Sequence, residues 1–487
     1  MHEVFAALVH HADSTPDKPA FRKTDGSCLT YGQLASAVAA FDAALPSDAR
    51  TVALRGIPSF AWIVADLAAS LAGRRVVPIP MFFSREQSAF ILQDAGCDLV
   101  IDCDLPEDPQ RPAPGIRWMR LNDAGIVPAE LGLRLPVYGG GAERVIYTSG
   151  TTGRPKGVRH GDRQLNFAIS AIGDAVAATP QDIHLSVLPP ALLLEQIAGF
   201  FLPIAAGAQT VLAPGAAIAA LTGDIAPMAK ALSESSPTTT VLVPQLVSAL
   251  VRFSDATGWR PPTSLRIAAV GGAPIAPSVL DAADALGLPV RFGYGLSECC
   301  SVVSVDGFAN TAPDTGPVRP TGRPLPGTEI RIDDGEIVVR SPGVMIGYLN
   351  HPEIGTDEWR TGDLGRIEPD GRITVLGRKD RRLILSNGRN VSPEWIESLA
   401  QGLPWVGDAV AMGHGEPQVT LHLKARLLDE QWLHATPDTE FARQLNAVFA
   451  DLPDYARPAR VELSPPRASG RVRVIPLGLH RPNTNVA

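Results

Sequence analysis

The sequence predicts an α/β protein with a large N-terminal domain of αβ-layered sheets and a small C-terminal α+β domain. Three observations support this prediction. The chain has 487 residues, 45% of them apolar, which is enough for about two to four domains that each bury a core. Short apolar stretches alternate with helix-like stretches through the first 300 residues, and short strand pairs with turns begin near residue 316.

The N-terminal alternation is clearest between residues 51 and 101. Strand-like segments at 51–54, 75–79 and 99–101 are separated by helix-like segments at 60–71 and 84–95. Parallel strands need a crossover between them, and an α-helix usually supplies it. The pattern therefore predicts parallel sheets covered by helices.

The later strand pairs indicate antiparallel structure. Segments 329–332 and 336–340 flank Asp333-Asp334-Gly335, and Asp-Gly is typical of a tight hairpin turn. We expect these strands to form a distorted β-barrel within the large domain. The texture changes again after GRKDRR at 377–382, so we place the boundary at Asp380, between a domain of residues 1–379 and one of residues 380–487.

Charge and cysteine content exclude several classes of protein. The net charge is −8, and no long lysine or arginine run is present, which argues against a protein that coats nucleic acid or an anionic membrane. The five cysteines have no CxxC spacing, which indicates reduced thiols. The short apolar stretch at the N-terminus is broken by histidines and does not read as a secretory signal. We therefore expect a cytoplasmic protein that acts on a small molecule.

One stretch is long and apolar enough to suggest a membrane span. Residues 197–223 contain no charged side chain, and a span needs about 20 apolar residues. Pro203, Gly207, Pro214 and Gly215 interrupt the stretch, however. We therefore predict no transmembrane segment but a buried unit: a short helix, a strand near residues 210–212 and a loop.

The most informative segment is TSGTTGRPKG, residues 148–157, which follows a strand-like Val145-Ile146-Tyr147. It contains three glycines, four hydroxyls and two cations, so backbone N–H groups, hydroxyls and Lys156 can surround a polyphosphate. The P-loop pattern GxxxxGK[ST] is absent, because Pro155 precedes Lys156 and Gly157 follows it. The segment predicts a different kind of phosphate-binding loop.

Four further motifs follow this loop. They are AVGGAPIAP at 269–277, GYGLSE at 293–298, WRTGDLG at 359–365 and GRKDRRLILSNGRNVSPEWIE at 377–397. In this order, and over essentially the whole chain, the set resembles the adenylate-forming superfamily, which includes acyl-CoA synthetases and aryl-CoA ligases. The resemblance implies an N-terminal domain that binds ATP and an acid, and a mobile C-terminal lid domain with its hinge at Asp380.

The resemblance also implies a role for individual residues. Lys156, Ser297, Glu298 and Arg471 are the implied catalytic residues, and Glu298 is a hard oxygen ligand suited to Mg²⁺. The substrate pocket would include Leu192, Leu193 and Gly271, and Gly388 and Arg389 would line a thiol tunnel. The implied ATP-binding residues are Thr148, Ser149, Gly150, Thr151, Thr152, Gly153, Gly272, Ala273, Pro274, Gly293, Tyr294, Gly295, Asp363 and Arg378.

Elementary chemistry agrees with three of these roles. Tyr294 offers an aromatic face to adenine, between glycines that let the backbone come close. Ser297 offers a hydroxyl to the α-phosphate. Asp363 can accept hydrogen bonds from both ribose hydroxyls, although aspartate is also a common turn residue.

The sequence departs from the family pattern at Arg471, where relatives have a catalytic lysine. Guanidinium keeps the charge but is planar and bulkier than ammonium. Only six of the 43 basic residues are lysines, so the exchange is compatible with the general preference of this chain for arginine. Adenylation that is weak or lost stays open as an alternative.

A second departure concerns the acid. LPPALLLE at 188–195 resembles a run of long-chain acyl-CoA synthetases, with Leu192 where they have histidine, and no aspartate occurs in 186–194 to hold a substrate ammonium. An unpaired ammonium in an apolar wall is unfavourable, so a fatty or aryl acid is expected. Alternatively, these leucines serve only as core packing.

The resulting prediction is an ATP- and Mg²⁺-dependent ligase. It converts a carboxylic acid to an acyl adenylate with release of pyrophosphate, and then transfers the acyl group to a thiol, which we expect to be CoA. The first alternative is transfer to the phosphopantetheine of an acyl carrier protein. The second is a non-catalytic protein that binds ATP or an acyl adenylate, because of Arg471.

Overall fold

A computed structural model describes residues 1–105, 115–126, 133–148, 155–222, 224–306, 318–426, 432, 435–465 and 472–477. The helices are α1 His2–Ser14, α2 Tyr31–Ala44, α3 Phe60–Leu71, α4 Arg85–Asp94, α5 Asp162–Ala175, α6 Leu193–Glu195, α7 Leu202–Ala206, α8 Pro214–Thr222, α9 Ala226–Ser235, α10 Pro244–Thr257, α11 Pro277–Leu286, α12 Pro393–Gln401 and α13 Asp438–Val448.

The strands of the N-terminal region are β1 Pro19–Lys23, β2 Cys28–Thr30, β3 Thr51–Gly56, β4 Arg75–Pro78, β5 Leu99–Cys103, β6 Arg117–Leu121, β7 Glu143–Thr148, β8 Lys156–His160, β9 Ile183–Ser186, β10 Gln209–Leu212, β11 Thr239–Leu242, β12 Ile267–Val270, β13 Val290–Tyr294, β14 Ser304–Val305 and β15 Arg323–Pro324. The later strands are β16 Glu329–Asp333, β17 Glu336–Arg340, β18 Gly347–Tyr348, β19 Glu358–Ile367, β20 Ile373–Arg378, β21 Leu383–Ile384, β22 Asn390–Val391, β23 Val406–Met412, β24 Val419–Ala425, β25 Pro458–Ser464 and β26 Arg473–Pro476.

Two large sheets form the N-terminal part. One has nine strands in the order β15-β14-β13-β12-β11-β9-β10-β1-β2, and the other has seven in the order β18-β8-β7-β4-β3-β5-β6. Their central strands pair in parallel. Antiparallel strands lie at both edges of the nine-stranded sheet and at one edge of the seven-stranded sheet, whose other edge strand, β6, is parallel. The predicted α/β class is therefore confirmed.

Local sequence signals explain where several elements begin. The Ser84 hydroxyl accepts a hydrogen bond from the Gln87 backbone N–H, and the Gln87 side chain accepts one from the Ser84 N–H. This reciprocal arrangement is a capping box, which satisfies two backbone donors at a helix start. It fixes the start of α4, and helix α3 coincides with the predicted segment 60–71.

The antiparallel region forms a four-stranded sheet in the order β16-β17-β19-β20. Asp333 pairs with Glu336 across a two-residue turn, and φ is +51° at Asp334 and +75° at Gly335. Positive φ at both turn residues is the geometry of a type I′ hairpin, which favours Gly at the second position. This turn lies where the sequence predicts it.

The C-terminal part has its own sheet, in the order β23-β24-β25-β26, packed against α12 and α13. Its hydrophobic core comprises buried residues between Leu385 and Leu477. Leu385, which stands where many coumarate-type ligases have lysine, is part of that core. The division at Asp380 remains a prediction.

The charge-free stretch 197–223 folds as α7, β10 and α8 after a π-helical turn at Gln196–Phe201. The predicted helix and strand are present, but the segment after Ala213 is helix α8 and not the predicted loop. A helix can begin there because Pro214 occupies the first helical position, where no backbone N–H is needed. No described helix is both long and apolar enough to span a bilayer.

A buried ion pair is extended by a hydrogen bond from the same arginine, and that hydrogen bond links the two sheets. Arg144 on β7 donates to Asp66 on α3 through two nitrogens, at 2.6 and 3.3 Å, and to Gln196 Oε1 at 2.8 Å. All three side chains are essentially inaccessible to solvent. Arg144 lies on β7 of the seven-stranded sheet, and Gln196 lies between β9 and β10 of the nine-stranded sheet. The hydrogen bond between them therefore helps to fix how the sheets face each other.

Candidate functional site

A cavity of about 510 Å³ lies at the carboxyl ends of parallel strands from both sheets. Thr148 ends β7, Val243 follows β11, Gly271 follows β12, and Gly295 follows β13, and all four line the cavity. Ligands of open α/β sheets bind at this edge, where the loops that follow the strands converge. The fold therefore places a binding site between the two sheets.

Many of the residues singled out in the sequence meet at this cavity. Leu192 and Leu193, with Leu188 and Leu194, form an apolar side of it. The predicted residues that line the cavity are Thr148, Leu192, Leu193, Gly271, Gly272, Gly293, Tyr294, Gly295 and Ser297.

Tyr294 connects the cavity to a buried carboxylate. Its hydroxyl donates to Asp363 Oδ2 at 2.5 Å, and Arg378 donates to Asp363 Oδ1 at 3.3 Å. Asp363 and Arg378 are neighbours across β19 and β20. Arg378 also donates to both carboxylate oxygens of Asp380, at 3.0 and 3.3 Å. The predicted adenine, ribose and hinge residues thus form one continuous hydrogen-bonded chain.

Electrostatic interactions stabilise this hydrogen-bonded series of side chains. Burial raises the pKa of Asp363, while the hydroxyl of Tyr294 and the charge of Arg378 oppose that rise. The hydrogen bonds from Arg378 lower the pKa of Asp380. Asp363 is 8% exposed, and a buried carboxylate without partners is strongly destabilising. Tyr294 and Arg378 therefore stabilise an acceptor at the edge of the cavity.

Lys156, Tyr348 and Glu298 form a second group. The Tyr348 hydroxyl donates to Glu298 Oε1 at 2.8 Å, and Lys156 Nζ lies 5.5 Å from the centroid of the Tyr348 ring. The strand β18 carries Tyr348 and pairs with β8, which begins at Lys156. The sequence did not single out Tyr348. Tyrosine is common, and its role depends on a pairing between strands that are far apart in the chain.

Packing within the chain explains two of the motif glycines. A Cβ at Gly295 would lie 1.6 Å from the Ser301 carbonyl oxygen, and a Cβ at Gly157 would lie 2.7 Å from Val145 Cγ1. From the sequence alone, glycine is expected at 295 because it lets the backbone come close to a bound adenine. The structure shows that the neighbouring backbone already requires glycine there.

Other predicted residues lie elsewhere. Ala273 and Pro274 continue the loop after β12 but do not line the cavity, and Gly388 and Arg389 lie in the turn between β21 and β22. Arg389 lies over the Tyr455 ring at 5.2 Å from its centroid. The remaining predicted residues lie outside the described part of the chain: Ser149, Gly150, Thr151, Thr152, Gly153 and Arg471.

A buried polar cluster lies beside the cavity. Glu195 and Ser186 are fully buried and His184 is nearly so. Glu195 Oε1, Glu195 Oε2, Ser186 Oγ and His184 Nε2 have no hydrogen-bond partner among the described residues. Burial raises the pKa of Glu195 to about 8 and lowers the pKa of His184 to about 4. Both groups are therefore neutral at pH 7.

Glycine at 199 leaves room for this cluster. A Cβ there would lie 2.8 Å from Glu195 Oε1 and 3.4 Å from His184 Nε2. In the sequence, Glu195 is noted only as the last residue of LPPALLLE. In the structure it immediately precedes the π turn Gln196–Phe201. His160, which follows the loop 148–157, is also fully buried, and burial lowers its pKa to about 4.

The donor set fits a magnesium ion that is held mainly by phosphates. No group of three or more His, Cys, Asp or Glu side chains in the described residues is arranged to bind a metal. Glu298 provides a single carboxylate. Mg²⁺ in nucleotide sites typically uses one or two protein carboxylates, with phosphate oxygens and water completing its shell.

Comparison with known proteins gives one family and several relatives. Residues 8–349 match the model of a family described as AMP-binding enzyme. The long-chain-fatty-acid–CoA ligase FadD15 of Mycobacterium bovis is 28% identical, over 85% of this chain and 81% of that protein. The 2-succinylbenzoate–CoA ligase of Enterococcus faecalis is 30% identical, over 67% of each chain.

A solved structure agrees with this fold. The anthranilate CoA ligase AuaEII in complex with anthranoyl-AMP superposes with a TM-score of 0.79, at 20% identity, over 97% of this chain and 94% of that one. At this identity the similarity shows a shared fold.

We predict that Glu195→Gln changes how stability depends on pH. The folded carboxyl stays protonated to about pH 8 and the unfolded one ionises above about pH 4.5, so unfolding releases a proton between these values. The free energy of unfolding of the wild type should therefore fall with rising pH, relative to the variant, by about 1.4 kcal/mol per pH unit between pH 6 and 8. Urea titrations at several pH values measure this difference.

The exposed Glu86→Gln provides the matched control, and its slope should equal that of the wild type. Equal slopes for the wild type and Glu195→Gln would mean that the Glu195 carboxyl is already ionised at pH 6.

Proposed function

The chain belongs to the AMP-binding enzymes of the adenylate-forming superfamily, and we propose from this that it is an AMP-forming acid–thiol ligase of the acyl-CoA synthetase type. It activates a carboxylic acid with ATP and transfers the acyl group to a thiol. The observation that carries the proposal is the convergence at one cavity edge of Thr148, Tyr294 and Ser297 with the apolar residues Leu192 and Leu193. Groups suited to a nucleotide and groups suited to an apolar acid face the same space.

The nucleotide is held at the end of the cavity where Tyr294 and Asp363 meet. Asp363 accepts hydrogen bonds from the ribose hydroxyls, as carboxylates do in dinucleotide sites. Tyr294 presents its ring to adenine, while its hydroxyl keeps Asp363 in place. Arg378 adds a fixed positive charge beside the same carboxylate.

The first half-reaction is an in-line displacement at the α-phosphorus of ATP. A carboxylate oxygen of the acid forms a bond to that phosphorus, the bond to the bridging oxygen breaks, and pyrophosphate leaves with the electron pair. The chain contributes mainly positioning and charge stabilisation, as in other phosphoryl-type transfers. Lys156 provides positive charge near the phosphates, and Ser297 a hydroxyl at the α-phosphate.

Magnesium would be held through Glu298, whose other partner is the Tyr348 hydroxyl. When bound, it supplies positive charge that neutralises phosphate oxygens. The hydroxyl of Tyr348 orients the carboxylate of Glu298, and the ring of Tyr348 packs beside Lys156.

The second half-reaction transfers the acyl group. The sulfur of the thiol attacks the acyl carbon, the carbon–oxygen bond to AMP breaks, AMP leaves, and the thiol proton passes to solvent. Asp380 is the proposed hinge for the domain rotation between the steps, and Gly388 and Arg389 belong to the proposed thiol tunnel. Rotation about Asp380 requires its ion pair with Arg378 to rearrange.

The acid is apolar. The cavity lining contains no carboxylate side chain among the described residues, so nothing there neutralises the ammonium of an amino acid. Fatty and aryl acids both fit this description. CoA is the proposed acceptor, and the relatives named as CoA ligases support it.

The direct test of function is pyrophosphate release from ATP with a panel of butyrate, octanoate, dodecanoate, benzoate and phenylalanine. We expect release with apolar acids and none with phenylalanine, because its ammonium has no partner in the cavity. Adding CoA should then produce an acyl thioester. A holo-carrier protein in place of CoA tests the other acceptor, and no release with any acid would favour a protein that only binds nucleotide.

We further predict that Tyr348→Phe weakens the use of magnesium. Removing the hydroxyl leaves Glu298 free to rotate, and loss of such a supporting hydrogen bond typically costs about tenfold or more in metal affinity. The Mg²⁺ concentration for half-maximal pyrophosphate release should rise by about that factor, while the thermal unfolding midpoint changes little.

Tyr138→Phe is the matched control. Its hydroxyl donates to Asp162 at 2.7 Å, so the substitution removes the same kind of bond at a carboxylate with no proposed ligand. Equal Mg²⁺ dependence in the two variants would show that Tyr348 does not position Glu298.

A further inference from the structure

A second cavity, of about 80 Å³, lies between the nine-stranded sheet and helices α5 and α7. We call it the distal chamber. His184, Thr239 and Ile267 line it from β9, β11 and β12, and Ile172 and Leu202 from the helices. It faces the same side of the sheet as the larger cavity.

The distal chamber adjoins the cavity of the proposed active site. Leu194, Ala269, Val302 and Val305 line both spaces. The boundary between the two is therefore made of these apolar residues. No charged residue is shared by the two linings.

One face of β12 and of the residue that follows it runs along both cavities. Side chains two residues apart point to the same face of a strand, so Gly271, Ala269 and Ile267 form a row. Gly271 lines the first cavity, Ala269 lines both, and Ile267 lines the distal chamber. The row spans four residue steps of about 3.3 Å, or about 13 Å, which matches an extended chain of about ten carbons.

The charge-free stretch 197–223 provides much of the outer wall. Ala198, Leu202, Pro203, Ala206 and Ala208 all line the distal chamber. The π turn at Gln196–Phe201 carries Ala198, and such turns are frequent at functional sites. The long apolar run is thus explained as the lining of an internal space.

Most polar groups at the distal chamber already have partners, although His184 Nε2 has none among the described residues. Arg266 donates to both carboxylate oxygens of Asp182, at 2.9 and 2.7 Å, and His184 Nδ1 lies 3.0 Å from Thr239 Oγ1. Thr240 also lines the chamber, and its hydroxyl donates to the Leu185 carbonyl oxygen at 2.9 Å. The other lining residues are aliphatic. A polar or charged group of a substrate would have to displace these contacts, whereas a methylene chain would not.

We propose that the distal chamber receives the far end of an aliphatic chain, so that the acid is a medium- or long-chain fatty acid and not an aryl acid. This inference rests on the proposed function, because it assumes that the carboxylate lies near Ser297. The chamber is a specificity site, because each additional methylene that it buries increases the affinity for the acid until the space is filled.

The test on the wild type is kcat/KM for saturated acids of four to sixteen carbons and for benzoate, measured by pyrophosphate release. We expect kcat/KM to rise by about fourfold per added methylene to about twelve carbons, with benzoate near the level of the shortest acids. A maximum at eight carbons or fewer, or with benzoate, would overturn the chamber proposal but leave the ligase function standing. No activity with any acid would instead contradict the ligase function itself.

Ala198→Phe fills the distal chamber from its helical wall. It should lower kcat/KM for dodecanoate at least tenfold and leave that for butyrate within about threefold, because butyrate ends before the chamber. Ala37→Phe, at a partly buried alanine of α2 that lines neither cavity, is the matched control and should keep the wild-type profile. If both acids are affected equally while the thermal unfolding midpoint is unchanged, the chamber does not hold the chain. The wild-type profile decides the question if Ala198→Phe does not fold.

Discussion

The carboxylate of Asp363 constrains the geometry of the site more than any other group. It is almost fully buried, and its oxygens accept from Tyr294 and Arg378. Desolvation of an ionised carboxylate costs several kcal/mol unless partners compensate, so β13, which carries Tyr294, and β20, which carries Arg378, must both approach β19. That requirement links the nine-stranded sheet to the four-stranded sheet. It also connects the edge of the cavity at Tyr294 with Asp380, the proposed hinge.

The second constraint is the approach of the two large sheets. Arg144 donates hydrogen bonds to both Asp66 and Gln196. On β7, Arg144 immediately precedes the apolar residues that lead to Thr148. Gln196 in turn begins the π turn Gln196–Phe201, whose Ala198 lines the distal chamber. The strand that ends at Thr148 and the π turn beside the distal chamber are therefore held by one connected set of buried groups.

Local sequence signals predict the parts of the fold that depend on local physics. Asp334-Gly335 favours a type I′ turn, and Ser84 predicts the start of a helix. The alternation of strand-like and helix-like segments predicts parallel sheets. The helix at 214–222 is not predicted from the sequence, because the proline and glycine at its start are also typical of loops. Tyr348 and Glu195 carry no local signal, since their roles come from strand pairing and burial created by distant segments. Glycine at 295 is required by the close approach of the Ser301 carbonyl, which the sequence does not show, and its role toward a nucleotide stays a prediction.

Isotope labelling of the acid tests the account most directly. An acid with both carboxylate oxygens replaced by ¹⁸O is incubated with ATP, Mg²⁺ and CoA, and the released AMP is examined by mass spectrometry. Attack of the carboxylate on the α-phosphorus, followed by cleavage of the acyl carbon–oxygen bond, leaves one ¹⁸O in AMP and none in pyrophosphate. Labelled inorganic phosphate with ADP, or unlabelled AMP alongside thioester, would contradict an acyl adenylate at this site.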